Sequence, residues 1–434
     1  MFNLLIQLVN PTNGRFVYLS GEQGLDDLRT EHSILKDLYD KLRALLQSKT
    51  FCGMFDNDPF PDYPFKGLNN PTTAPPYIPT IFGKGYHTRL RVHPSGRLAY
   101  TCGSGSTINV YDLRANEMVA EVKFPDDSAL VRDVAFSRDG KQLYAVGTIK
   151  NTDSMFAIAD IKGRDLVWQK PTVICDAQLV TLATATNVPG KVYAIGRGKG
   201  LYELDLKNLA PNATPLHACN AVGQLVIFEQ GSQSFAFVTA HGAGAPGVYD
   251  QVLRFDLHGK QAQGVSFNLL VNGQHLLGAD DIAVASTQKG VKLYVVTNPP
   301  PSSNNKQLLI FNQALAQTAT TPSIIDLGAQ TAVRLAYDDV TQALMLTYAD
   351  EYCVRLVGAN DQLTPRFRQP VQISPMAIAV SGDARARDRQ RVYVLNYNSN
   401  TITSMPAEQM TIKRQIALDT LAQYRAAALE AFAK

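Results

Sequence analysis

One phrase, returning along the chain, constrains the fold more than any other feature. Tyr86 to Pro125 reads YHTRLRVHPSGRLAYTCGSGSTINVYDLRANEMVAEVKFP. Apolar residues alternate in RLRV, a Pro-Ser-Gly turn follows, and then come RLAYTCG, a Gly-Ser turn, TINVYDL, a polar turn and MVAEVKF. Short alternating runs separated by turn residues specify an antiparallel meander of four strands. The same grammar recurs six more times. Its landmarks are an anchor residue in the second strand (Tyr100, Tyr144, Tyr193, Phe237, Tyr294, Leu346 and Tyr393), preceded in most repeats by a turn glycine such as Gly96, Gly140, Gly190 or Gly290. Several repeats carry an apolar-Asp pair one strand later: Tyr111-Asp112, Ala159-Asp160, Leu204-Asp205 and Phe255-Asp256. Four strands per repeat, at a spacing of about 40–50 residues, is the sequence form of propeller blades. The expectation is an all-β, seven-bladed β-propeller over residues 82–416, with eight blades as the alternative count.

The flanks break this pattern. Residues 1–20 read as two strands around Asn10-Pro11-Thr12-Asn13-Gly14, a pair suited to completing the last blade. Residues 21–81 hold first an inserted amphipathic helix, with Leu28, Leu35 and Leu42 at heptad spacing, Asp26 and Asp27 in its first turn and Lys49 near its end, the charge order a helix dipole favours. A connector rich in Pro and aromatic residues follows, too proline-dense for helix or sheet. Residues 417–434, ALDTLAQYRAAALEAFAK, read as a C-terminal helix, and the missing C-cap suggests a polypeptide that continues.

The blade phrases resemble a known family. RVHPSGRLAYTCGSGSTINVYDL, AFSRDGKQLYAVGT and RVYVLNYNSNTITSM are similar to the bacterial YVTN repeat, which builds seven-bladed propellers related in shape to the lactonase type. The likeness runs over about residues 86–405 and is degenerate in the third to sixth repeats. It implies a fold, and hardly a function, since such propellers serve as scaffolds, adhesins and enzymes.

Composition narrows the classes. With 41 Lys and Arg against 38 Asp and Glu, and no basic run, a nucleic-acid or anionic-membrane footprint is not expected. The N-terminus MFNLLIQLVNPTNGRF has neither a basic n-region nor the length of a membrane span, so neither a signal peptide nor membrane insertion is expected. A cytoplasmic location follows, with specialised export as the other route. Cys52, Cys102, Cys175, Cys219 and Cys353 are odd in number and far apart, which speaks against a disulfide framework or a zinc site. The seven histidines show no HExxH or paired spacing, and no nucleophile elbow or phosphate loop occurs. No cofactor and no metal are therefore expected.

In a propeller the innermost strand of each blade starts at one mouth of the central channel. The polar residues at those starts, His87 and Arg89, Arg132 and Asp133, and Asp280 and Asp281, are the candidate binding residues. The function that best fits is a non-catalytic interaction or structural module with protein partners, part of a larger bacterial assembly. The alternatives are a lactonase-like hydrolase using the channel mouth, with Asp133 and Asp281 among its channel carboxylates and His87 as its acid or base, and a surface- or carbohydrate-binding adhesin.

Overall fold

The computed structural model describes residues 80–407, with short interruptions of which 381–390 is the longest. The strand pair expected at 1–20 and the helices expected at 24–49 and 417–434 lie outside the described residues. Within them the chain forms seven antiparallel sheets and one short hairpin, Leu270–Val271 with Gln274–His275, between the fourth and fifth sheets. Among the described residues there is no α-helix.

Five of the sheets are meanders in which consecutive strands pair; in blade 2 Thr172–Cys175 pairs with Asp153–Lys162 past the intervening Asp165–Trp168, and blade 7 takes its outermost strand from the start of the repeats. The innermost strands of blades 1 to 7 are Arg89–Val92, Leu130–Phe136, Leu179–Thr184, Ala221–Gln230, Ala279–Thr287, Val333–Asp338 and Pro375–Val380. Each packs beside the next, and the seventh returns to the first, so the ring closes. Seven blades closed on themselves make a β-propeller rather than a solenoid. The outermost strand of blade 7 is Thr80–Phe82, pairing antiparallel with Thr401–Pro406 from the far end of the repeats. The ring is thus closed by main-chain hydrogen bonds between segments more than 300 residues apart in sequence.

All seven anchor residues sit in the second strand opposite the innermost one and are at most 4% exposed. Their neighbours explain why these strands read as nearly continuous apolar runs: both faces of a blade are covered. Tyr100, Val110 and Cys102 of blade 1 pack with Val131, Val134 and Leu143 of blade 2. Equivalent clusters fill the gaps between blades 2 and 3, 3 and 4, 4 and 5, 5 and 6, and 7 and 1. The core is therefore a set of radial slabs, each shared by two blades.

The turns use the chemistry their sequence advertises. Gly140 adopts a φ of +68°, and a Cβ there would lie 2.7 Å from the His93 ring, whose Nε2 contacts the Gly140 carbonyl oxygen at 2.7 Å. Only glycine suits both demands. In three of the four apolar-Asp pairs the Asp closes the following turn: Asp112 Oδ1 accepts the Arg114 and Ala115 amides, Asp205 Oδ1 that of Lys207, and Asp256 Oδ1 that of His258, a side-chain turn of the Asx kind. Asp160 instead accepts the Gln142 side-chain amide from within its strand.

Candidate functional site

The channel is built from one register position repeated around the ring. Counting two residues back from the partner of each anchor gives Arg89, Asp133, Thr181, Gln224, Asp281, Val333 and Ala377. In blades 2 and 5 a register shift precedes this position, between Val131 and Asp133 and between Ala279 and Asp281. Arg132 and Asp280 are the extra residues, and a bulge of this kind re-aims the side chain that follows.

Asp133 and Asp281 do the same thing with that geometry. Asp133 Oδ1 accepts the Val134 amide at 2.9 Å, and Oδ2 accepts the Leu182 amide of blade 3 at 3.0 Å. Asp281 Oδ1 accepts the Ile282 amide at 3.0 Å, and Oδ2 accepts the Leu335 amide of blade 6 at 2.8 Å. Each carboxylate thus ties its own innermost strand to the next. Asp133, which is fully buried, also receives Arg91 of blade 1, with Nε to Oδ1 at 3.0 Å and Nη2 to Oδ2 at 2.6 Å. This bidentate, charge-assisted pair is the strong form of such a contact.

Neutral side chains extend the series. Thr181 of blade 3 donates to the Gly223 carbonyl of blade 4. Gln224 of blade 4 donates to the Asp280 carbonyl of blade 5 at 3.0 Å. The Asp280 carboxylate takes ion pairs from Lys306 and from Arg334 of blade 6, each at 3.0 Å, and accepts the Val333 amide at 3.2 Å. Side-chain ties therefore run without a gap from blade 1 to blade 6. The innermost strand of blade 7, PMAIAV, brings no charged side chain.

The electrostatics follow from these contacts. Burial alone would push the Asp280 carboxyl up, but Arg334 and Lys306 outweigh it and hold it below the ordinary carboxylate range. At Asp281 burial prevails over Arg334, the two amides and Arg89, and the carboxyl is raised. His87 is buried, with Nδ1 2.6 Å from Thr101 Oγ1, and burial lowers its pKa to about 4. Arg132 donates from Nε to Thr148 Oγ1 at 3.0 Å, and burial and the nearby Arg197 lower its proton affinity. Arg89 reaches across to blade 3, Nη2 lying 3.4 Å from Thr181 Oγ1.

The six residues expected at the mouth thus part company. Arg89, Asp133, Asp280 and Asp281 line the ring. His87 is held on Thr101, and Arg132 lies against the second strand of its own blade. Arg91, Thr181, Gln224, Lys306 and Arg334 were not anticipated. The recurring offset from the anchor residue is the signal that would have found Thr181 and Gln224. Among the described residues no group of three or more His, Cys, Asp or Glu side chains could hold a metal ion. A separate open cavity of about 430 Å³ lies between blades 2 and 3, lined by Arg138, Tyr144, Val188, Pro189, Lys191 and Leu206 among others. Among the described residues no helix is long and apolar enough to cross a membrane.

Comparison with known proteins agrees with the architecture. No protein-family model matches the chain. No curated protein matches it by sequence. Among solved structures it is similar to a chain in the crystal structure of the mitotic checkpoint complex, with a TM-score of 0.51 and 12% identity, over 76% of this chain and 89% of that one. At that identity the likeness is one of fold. Fold and channel together define a seven-bladed β-propeller.

Proposed function

We propose that this propeller is a non-catalytic interaction module that holds protein partners within a larger assembly. The observation that supports it best is how the channel carboxylates are used. Asp133, Asp280 and Asp281 spend their oxygens on backbone amides and cations of their own and adjoining blades. A general base must be aimed at the proton it removes, whereas these carboxylates are oriented by the ring's own donors. The YVTN-type and bacterial character suggested by the blade phrases belongs to the same proposal, and a propeller platform accommodates either origin.

A surface for a partner lies at the seam between blades 7 and 1. Phe82 is 76% exposed and Tyr86 52% exposed, and the Tyr86 ring sits 5.4 Å from that of Tyr397. Exposed aromatic side chains are the residues that most often anchor protein interfaces. The test is affinity capture from the native host with the full chain and with the Phe82→Ser/Tyr86→Ser double variant. A defined set of proteins held by the parent and released by the variant is expected. Capture unchanged by the double substitution would remove this surface, and a purified chain that hydrolyses lactones above the buffer rate would overturn the non-catalytic reading.

A further inference from the structure

The charges around the channel do not balance, and the imbalance is localised. Arg89, Arg91, Lys306 and Arg334 face three carboxylates, Asp133, Asp280 and Asp281. Arg91 is taken by Asp133, and Lys306 and Arg334 by Asp280. Both oxygens of Asp281 accept amides. Arg89 is left, half-buried, with one hydrogen bond, to the Thr181 hydroxyl. Among the described residues its Nε and Nη1 have no acceptor, and they are not sealed from solvent. Thr181 itself is already committed as a donor to Gly223.

A guanidinium partly withdrawn from water without a carboxylate costs free energy that a bound anion would return. Its planar fork of donors matches the two oxygens of a carboxylate or phosphate group. The setting also disfavours the cation in this structure: burial first, then the repulsion of Arg91 and Arg334, pull the Arg89 guanidinium below its ordinary value against the attraction of Asp133 and Asp281. From this geometry we infer that the channel beside Arg89 is a binding site for a small oxyanion, a free carboxylate or phosphate group seated on an edge of the guanidinium that Nη2, through its second N–H, shares with Nε or Nη1. The site is independent of the aromatic seam at Phe82 and Tyr86, and a protein partner there neither requires nor excludes it.

The test is thermal unfolding of the full chain titrated with formate, acetate or inorganic phosphate against chloride at fixed ionic strength. An anion that binds only the folded state raises the midpoint with a saturable dependence on its concentration. The expected result is such a rise for at least one oxyanion, absent from Arg89→Gln. The carboxylate and phosphate arms show which chemistry the site prefers. Should Arg89→Gln not fold, Arg89→Lys keeps the charge and loses the fork, and a roughly tenfold weaker anion response is expected from the loss of one charge-assisted bond. A midpoint that follows ionic strength alone, or a rise of equal size and half-saturation in wild type and in the Arg89 variants, would overturn the proposal.

Discussion

Asp133 and Asp281 occupy the same register position three blades apart, and both bind the amide of the following residue and an amide of the next blade. They differ in what neutralises them. Asp133 carries a bidentate arginine from the preceding blade, whereas the cations nearest Asp281, Arg334 and Arg89, act on it from beyond ion-pair distance. A backbone clamp therefore needs only the bulge and a short acceptor. The ion pair is an addition that carries the tie one blade further back.

The largest separation between the two sites is expected on deletion. Asp133→Ala removes two interblade contacts and leaves the Arg91 guanidinium, whose side chain is 37% exposed, without its partner. A loss of about 4 kcal/mol is expected, from the two unanswered amides of Val134 and Leu182 and the charge-assisted pair to Arg91 together. Asp281→Ala leaves the Leu335 and Ile282 amides unanswered, for a loss of about 2 kcal/mol. Urea midpoints of the two variants measure both. Equal losses would mean that the Arg91 pair adds nothing to the clamp.

The pH dependence of Asp281 sharpens the contrast. Its folded-state carboxyl lies above the ordinary carboxylate range, with burial the main cause. The folded form therefore holds its proton to higher pH than the unfolded chain. The favourable contribution is present below the unfolded value and is lost as pH rises through the folded value. Asp281→Asn, which has no such titration, should accordingly be most destabilised relative to wild type at acid pH, with the gap narrowing as the pH rises through that window. Denaturation midpoints of the pair across the acid range would show this, and a gap that widens with pH would contradict the assignment.

These two residues also mark how far the sequence could be read. The anchors from Tyr100 to Tyr393 announced seven blades, because a blade buried on both faces must repeat its apolar strands at a fixed offset from its turns. The same periodicity placed Asp133 and Asp281 at the channel. It could not say what their oxygens hold, since the partners are amides of Leu182 and Leu335, 49 and 54 residues further on, and an amide has no sequence signature. Arg91 escaped for a related reason. In the alternating RLRV it reads as a solvent-facing charge, and only the bulge at Arg132 turns Asp133 to meet it. The closing strand Thr80–Phe82 is three residues long at the end of a proline-rich connector, too short to carry a pattern of its own. What fixes it is the edge that Thr401–Pro406 leaves for it.

Thr181 offers the gentlest perturbation and the cleanest control, because it fills the clamp position with a neutral side chain. Its hydroxyl donates to the Gly223 carbonyl of blade 4 and lies 3.4 Å from Arg89 Nη2. Thr181→Val keeps the β-branched shape and removes only the hydroxyl, so packing against the neighbouring blades is preserved. The loss should be about 1 kcal/mol, chiefly that of the neutral hydrogen bond to Gly223, since the 3.4 Å contact from Arg89 is long and weak, and should be independent of pH across the range in which Asp281 titrates. Chemical denaturation of the variant measures the size, and repeating it at acid and neutral pH measures the independence. A loss as large as that of Asp281→Ala would show that the clamp position itself, rather than the charge placed there, carries the interblade energy.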